Sequence, residues 1–153
     1  MTQIDKVEAG RAEIAFRWVK KVAETFRDKN GKSTRKAKEY RAHVRKFPSM
    51  VLANGLAQAV AFAYSKAGQE GVQNLKDPAS PPNDADPWAL LYRQIEHYLR
   101  SSPFVSISAD KLLVDKLVEM ESARYRMVEQ DVLAFCNWLR RFAEALIEAE
   151  DES

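Results

Sequence analysis

The sequence predicts an all-α protein, a compact bundle of about six helices with no sheet. Three observations carry that reading. Every long stretch places its apolar residues three and four apart, the period of a helix with one buried side. Strong stop signals separate the stretches: Asn30-Gly31, a Pro-rich loop over Asp77–Pro87, and Ser101-Ser102-Pro103. The one alternating run, Phe104 to Ser108, is too short to argue for a sheet. A chain of 153 residues with 46% hydrophobic and 30% charged side chains reads as a single domain over residues 1–153. A chain of that length buries about two-thirds of its unfolded surface, enough for its own core.

The first helix covers Thr2 to Asp28, with Ile4, Val7, Ile14, Trp18, Val22 and Phe26 on its apolar stripe and Ala12, Ala15 and Val19 widening it. Arg17, Lys20, Lys21 and Glu24 fall on the other side. Ser33 or Thr34 is placed to cap a second helix, whose apolar positions are Ala37, Tyr40, Val44 and Phe47. Its outer face is a stripe of one sign: Arg35, Lys38, Arg41, Arg45 and Lys46. Like charges at i,i+4 repel by a few tenths of a kcal/mol (about 0.2–0.5) per pair, so this stripe is not built for helix stability. Pro48 fits the first turn of a new helix, so the second helix is expected to end near Phe47 and a third to run from Pro48 to about Gly68. That third helix is apolar nearly all round, apart from Asn54, Gln58 and Ser65, and reads as the buried hub of the bundle. Gly55 within it costs about 1 kcal/mol relative to Ala, which close approach of another helix would offset. A short turn around Val72 and Leu75 follows.

Asp86-Pro87 reads as N-cap and first turn of a helix burying Trp88, Leu91, Ile95 and Leu99. Ser108 is placed to cap the next helix, with Leu112, Leu113, Leu117 and Met120 inward. The last pattern, Ala123 to Glu148, buries Met127 or Val128, Val132, Phe135, Trp138 or Leu139, Phe142 and Leu146, with a break from its predecessor near Ser122.

The net charge of +2 hides a polarity. Through Lys46 there are 14 Lys/Arg against 6 Asp/Glu, a net of +8; from Phe47 onward there are 10 against 16, a net of −6. Such a distribution suits a polyanion partner for the first half or head-to-tail packing of like subunits, against the plainer alternative of a solvated face. The single cysteine, Cys136, lies between Phe135 and Trp138 on a helical pattern and reads as a packed thiol of a reducing compartment. The N-terminus carries Asp5, Lys6 and Glu8 where a signal peptide needs an apolar core, and no uncharged run is long and apolar enough for a membrane span. A cytoplasmic protein with no membrane partner is expected.

The residues do not assemble into an active site. His43 and His97 lack metal-ligand spacing to each other, and Glu39 with His43 makes at most half a metal site. Asp115 and Glu119 alternate with Lys111 and Lys116, the pattern of solvated ion pairs rather than a catalytic dyad. Gly68 and Gly71 are isolated and form no phosphate loop. The expectation is a non-enzyme without metal or cofactor. A small metal or redox enzyme of ferritin-like build is the contrasting reading.

Two blocks carry a family resemblance. The first is Tyr40-Arg41, a basic stretch, Phe47-Pro48, Asn54-Gly55-Leu56, Ala61-Phe62 and Ser65-Lys66. The second is Tyr125-Arg126, Leu133-Ala134-Phe135 and Asn137 through Glu144. Together they resemble the small α-helical subunit of the Cmr complex, the type III-B CRISPR RNA-guided effector. One position departs from the family pattern: Val128 stands before Glu129 where the pattern has Thr, which bears on where the last helix starts.

The resemblance implies a helical subunit with no nuclease activity. It stacks with copies of itself into a minor filament beside the backbone subunits, and it faces the guide and target RNA. Reading phosphates on a regular path takes Lys and Arg on rigid elements. The residues of this chain that fit are Arg41, Arg45 and Lys46, extended by Arg17, Lys20 and Lys21, with Arg140 and Arg141 as a third group. Adjacent arginines lie about 100° apart on a helix, so one of the last pair faces RNA and the other is free to pair with Glu144. Trp18, Trp88, Phe135, Trp138 and Phe142 lie on buried stripes and are read as core rather than as base-stacking platforms. A stand-alone helical nucleic-acid-binding regulatory module is the alternative function.

Overall fold

The computed structural model describes residues 3–102 and 112–149, with side chains from residue 7 onward. The segment Phe104–Ser108, the Ser108 cap, Lys111 and the Ile4 side chain lie outside the described residues. Among those described, six helices follow one another: α1 Gln3–Thr25, α2 Arg35–Asn54, α3 Leu56–Asn74, α4 Pro87–Arg100, α5 Leu113–Glu119 and α6 Ser122–Leu146. The architecture is all-α; among the described residues the only β pairing is an isolated bridge between Arg27 and Ser33.

α1 follows its sequence pattern. Ala15, Val19, Val22 and Ala23 are buried, with Phe26 just beyond, while Arg17, Lys20, Lys21 and Glu24 are exposed. The chain then reverses at Gly31, whose φ of 77° lies in the left-handed region open to glycine. The Asp28 carboxylate secures the turn by accepting from the Asn30 and Lys32 amides. Thr34 occupies the N-cap of α2, but its hydroxyl makes no cap bond. Ser33 instead accepts from the Glu148 amide and ties the end of the chain to this corner.

The expected boundary at Pro48 is corrected. α2 runs straight through Pro48 to Asn54, and the break falls at Gly55. A proline inside a helix removes one N–H bond and costs about 3 kcal/mol. Here Phe47, Pro48 and Val51 are all buried, and that burial holds the helix together across the proline. Gly55, at φ 89° and ψ 157°, adopts a backbone conformation essentially confined to glycine. Gly68 does the same at φ 79° and ψ 154°, kinking α3. The short turn around Val72 and Leu75 is therefore the far limb of α3.

The expected hub is corrected too. Leu52 is 76% exposed, and Gln58, Ala61, Phe62 and Ser65 face outward. The central element is α4, where ten of its 14 residues are buried. Asp86 caps it as the sequence predicts, accepting from Trp88 and Ala89, with Pro87 in the first turn. α3 and α2 pack against α4, while α6 lies between α1 and α2. Burial without periodic polarity explains the misplacement. The run after Pro48 is rich in Ala, which a surface tolerates, whereas α4 hides Gln94 and Glu96 by giving them partners.

Those partners are specific. Tyr40 donates to Gln94 at 2.6 Å in the interior. Glu96 pairs with Arg93 at 2.6 Å and Arg100 at 3.4 Å. Arg93 also donates to the carbonyls of Val72 and Leu75, closing the C-terminal end of α3. Asp131 of α6 is buried and accepts from Arg11 of α1, Tyr98 of α4 and Ser102. Burial opposes the Arg11 charge, but its bonds to Tyr98, Glu8 and Asp131 outweigh that and raise its pKa. Burial and the bond to Asp131 push the Tyr98 phenol up. Cys136 is buried, and burial pushes its thiol up to about 12.

Candidate nucleic-acid interface

The basic residues singled out in the sequence come from three helices. α6 has α1 on one flank and α2 on the other. On one flank, Phe16 of α1 meets Phe142 of α6 edge-to-face with centroids 5.2 Å apart. On the other, Arg45 of α2 reaches Glu144 of α6 at 3.8 Å. Arg141 lies on the exposed strip between, since the buried side of α6 is drawn by Val128, Val132, Phe135, Leu139 and Ala143.

Arg45 and Arg140 are brought together. Glu144 sits between them, 3.8 Å from Arg45 and 3.1 Å from Arg140, and all three side chains are partly open to solvent. Arg41 lies one turn before Arg45, half-buried, with its Nε enclosed and without a hydrogen-bond partner among the described residues. Lys46 and Arg141 are exposed and form no ion pair among the described residues. On α1, Lys20 and Lys21 are exposed, and Arg17 pairs with Glu13 at 2.8 Å. Arg35, at the start of the α2 stripe, pairs with Glu39 at 3.0 Å. The stripe is therefore partly neutralised from within. Among the described residues, the cations of the three groups without an acid partner are Arg41, Lys46, Lys20, Lys21 and Arg141.

Of the aromatic residues expected in the core, Phe135 is buried, while Trp18, Trp88, Trp138 and Phe142 pack against the core partly exposed. Trp18 lies edge-on to Phe135, and Trp138 stacks on Phe142 and donates to Glu8 at 3.0 Å. That bond holds Glu8 below the usual carboxylate range. Trp88 is half-buried and lies flat on His43 at 3.9 Å, with Phe62 against its edge. Among the described residues, no group of three or more His, Cys, Asp or Glu could hold a metal ion, and no helix is long and apolar enough to cross a membrane.

The two sequence blocks that carry the resemblance meet in space. Gly55 opens α3 with free amides, and α6 satisfies them. Leu56 donates to Glu129 at 3.0 Å, and Ala57 donates to the Tyr125 hydroxyl at 2.9 Å. A Cβ at Gly55 would come within 3.3 Å of that hydroxyl, which is the close approach expected there. Tyr125 and Glu129, one turn apart, were legible only as a motif; nothing in the spacing said they cap another helix. Val128, the departure from the family pattern, lies buried in mid-helix, and α6 starts at Ser122 regardless. Glu144 as a bridge to α2 was likewise hidden, since the sequence shows only its i+4 relation to Arg140.

Comparison with known proteins identifies the family. A family model described as CRISPR-associated protein (Cas_Cmr5) matches residues 7–146. The CRISPR system Cmr subunit Cmr5 of Thermus thermophilus is 31% identical over 110 residues, covering 72% of this chain and 76% of the relative. The crystal structure of a CRISPR-associated Cmr5 family protein from Thermus thermophilus superposes with a TM-score of 0.58 at 24% identity. That superposition spans 90% of this chain and 98% of the other, and it shows a shared fold. With the family model spanning nearly all of the described helices, this chain belongs to the Cmr5 family, the small subunit of the Cmr type III-B CRISPR complex.

Proposed function

We propose that this chain is a non-catalytic small subunit that stacks with copies of itself into a minor filament and contacts the guide–target RNA duplex through phosphates. The observation that carries the reading is the α2–α6 seam. There Arg45 and Arg140 converge from different helices, with Arg41, Lys46 and Arg141 beside them. Cations on rigid, packed helices hold a fixed spacing, which suits a phosphate path and carries no base information. Arg17, Lys20 and Lys21 on α1 are assigned to the same role as exposed cations of a helix packed on α6. The net charges of +8 through Lys46 and −6 after it are of opposite sign, which favours attraction between like copies. Partners are then the other Cmr subunits, further copies of this chain, and guide and target RNA in the cytoplasm.

The test is target-RNA capture by the assembled complex carrying R41Q/R45Q/K46Q. Capture weakens, and the slope of log affinity against log salt becomes shallower by about 0.7–0.9 for each phosphate no longer neutralised. Unchanged capture and unchanged slope would remove these residues from the RNA interface.

A further inference from the structure

Glu144 stands out because it sits in the middle of a basic seam. A carboxylate between two guanidiniums from different helices is a poor choice for simple stability. Exposed ion pairs of this kind add little to it, and the charge lies where the proposed RNA interface needs none. Its geometry is nonetheless that of an anion seat. Arg140 Nε lies 3.1 Å from one carboxylate oxygen and Arg45 Nε 3.8 Å from the other. Two oxygens on one centre, each facing an Arg, is also how a phosphodiester presents itself to paired arginines.

We propose that Glu144 is an internal stand-in for an RNA phosphate. In the unliganded subunit it pairs with Arg140 of α6 at 3.1 Å and lies 3.8 Å from Arg45 of α2; RNA displaces it. The inference rests on the RNA-contacting reading above and names what regulates that site. Glu144 is thus a positioning and competing residue, with two consequences. It partly neutralises the two guanidiniums before RNA arrives. It also weakens binding, because displacing it exchanges one pair of ionic bonds for another and leaves a carboxylate next to the incoming phosphate. Two unit charges about 4 Å apart repel by about 1 kcal/mol in water, which corresponds to about fivefold in affinity.

The experiment measures target-RNA affinity of the assembled complex across a salt series for five forms: wild type, E144Q, E148Q, R45Q/R140Q and E144Q in the R45Q/R140Q background. Glu148 is a nearby exposed acid whose side chain makes no ion pair with either arginine among the described residues, so E148Q removes the same charge without opening the seat. Glutamine is close to isosteric, and thermal melting of each purified subunit checks that it folds. The expected result is that E144Q tightens binding about three- to tenfold with a steeper salt slope. E148Q does less, and E144Q gains nothing once Arg45 and Arg140 are gone. Equal tightening by E144Q and E148Q overturns the proposal in favour of bulk charge. No tightening by E144Q, with R45Q/R140Q still weakening capture, overturns the stand-in while keeping the RNA interface. No effect of R45Q/R140Q overturns both.

Discussion

Asp131 shows how a single residue is made tolerable in the interior. A buried carboxylate costs several kcal/mol in hydration unless donors replace the water. Here Arg11, Tyr98 and Ser102 all donate to it, so three parts of the chain are tied to one side chain. Removing the carboxylate strips Arg11 of its inner counter-charge and leaves the Tyr98 and Ser102 hydroxyls buried without it. D131A is expected to lower unfolding stability by roughly 3 kcal/mol, the size found when one partner of a buried pair is removed. Urea denaturation of the isolated subunit checks this. The double variant R11M/D131L recovers only part of the loss: charge and counter-charge leave together, but the Tyr98 and Ser102 hydroxyls still lose the carboxylate they donate to. None of this was visible in the sequence. Arg11 and Asp131 are 120 positions apart, and each looks like an ordinary surface charge at its place in the helical pattern. The periodicity that revealed Val19, Val22 and Leu139 says which side is buried, not which polar residue will be paired there.

Among the helices, the glycines decide where elements begin and end. Gly55 and Gly68 both lie at positive φ with ψ near 155°, whereas Gly10 lies in α1 and has no atom within 4 Å of where a Cβ would stand. The two kinds of site respond oppositely to alanine. G55A strains the backbone and crowds the Tyr125 hydroxyl, so it is expected to destabilise by about 1–3 kcal/mol. It also weakens the Tyr125 and Glu129 bonds to α3. G10A removes a helix-interior glycine and is expected to stabilise by about 0.5–1 kcal/mol. Thermal melting of the two variants side by side checks the opposite signs. Asp86-Pro87 announces its helix in the sequence because cap chemistry is local: the Asp86 carboxylate bonds amides two and three residues on. Pro48 misleads because its local cost is outweighed by burial that involves distant residues.

For the whole molecule the polarity of charge sets the long-range behaviour. The excess of basic residues falls in the chain through Lys46, and the excess of acidic residues after it. Screening shortens the reach of these fields to about 10 Å at 0.1 M salt. If the polarity drives stacking, the isolated subunit associates at low ionic strength and approaches the monomer as salt is raised. Sedimentation equilibrium across a salt series reads this directly, and a mass independent of salt would assign stacking to apolar surfaces instead.

By itself the sequence determined the helical class, most helix positions, the Asp86 cap, the inward sides of the aromatic-bearing helices, the charge polarity and the family likeness. All of these rest on information carried within a few residues or summed over the chain. Tertiary structure decided the rest: α4 rather than the stretch after Pro48 as the centre, Gly55 rather than Pro48 as the break, and the pairing of Arg45 with Arg140 through Glu144. The reason is the same in each case. Which polar group is satisfied, and which proline is tolerated, depends on side chains far away in sequence that only packing brings within a few ångströms.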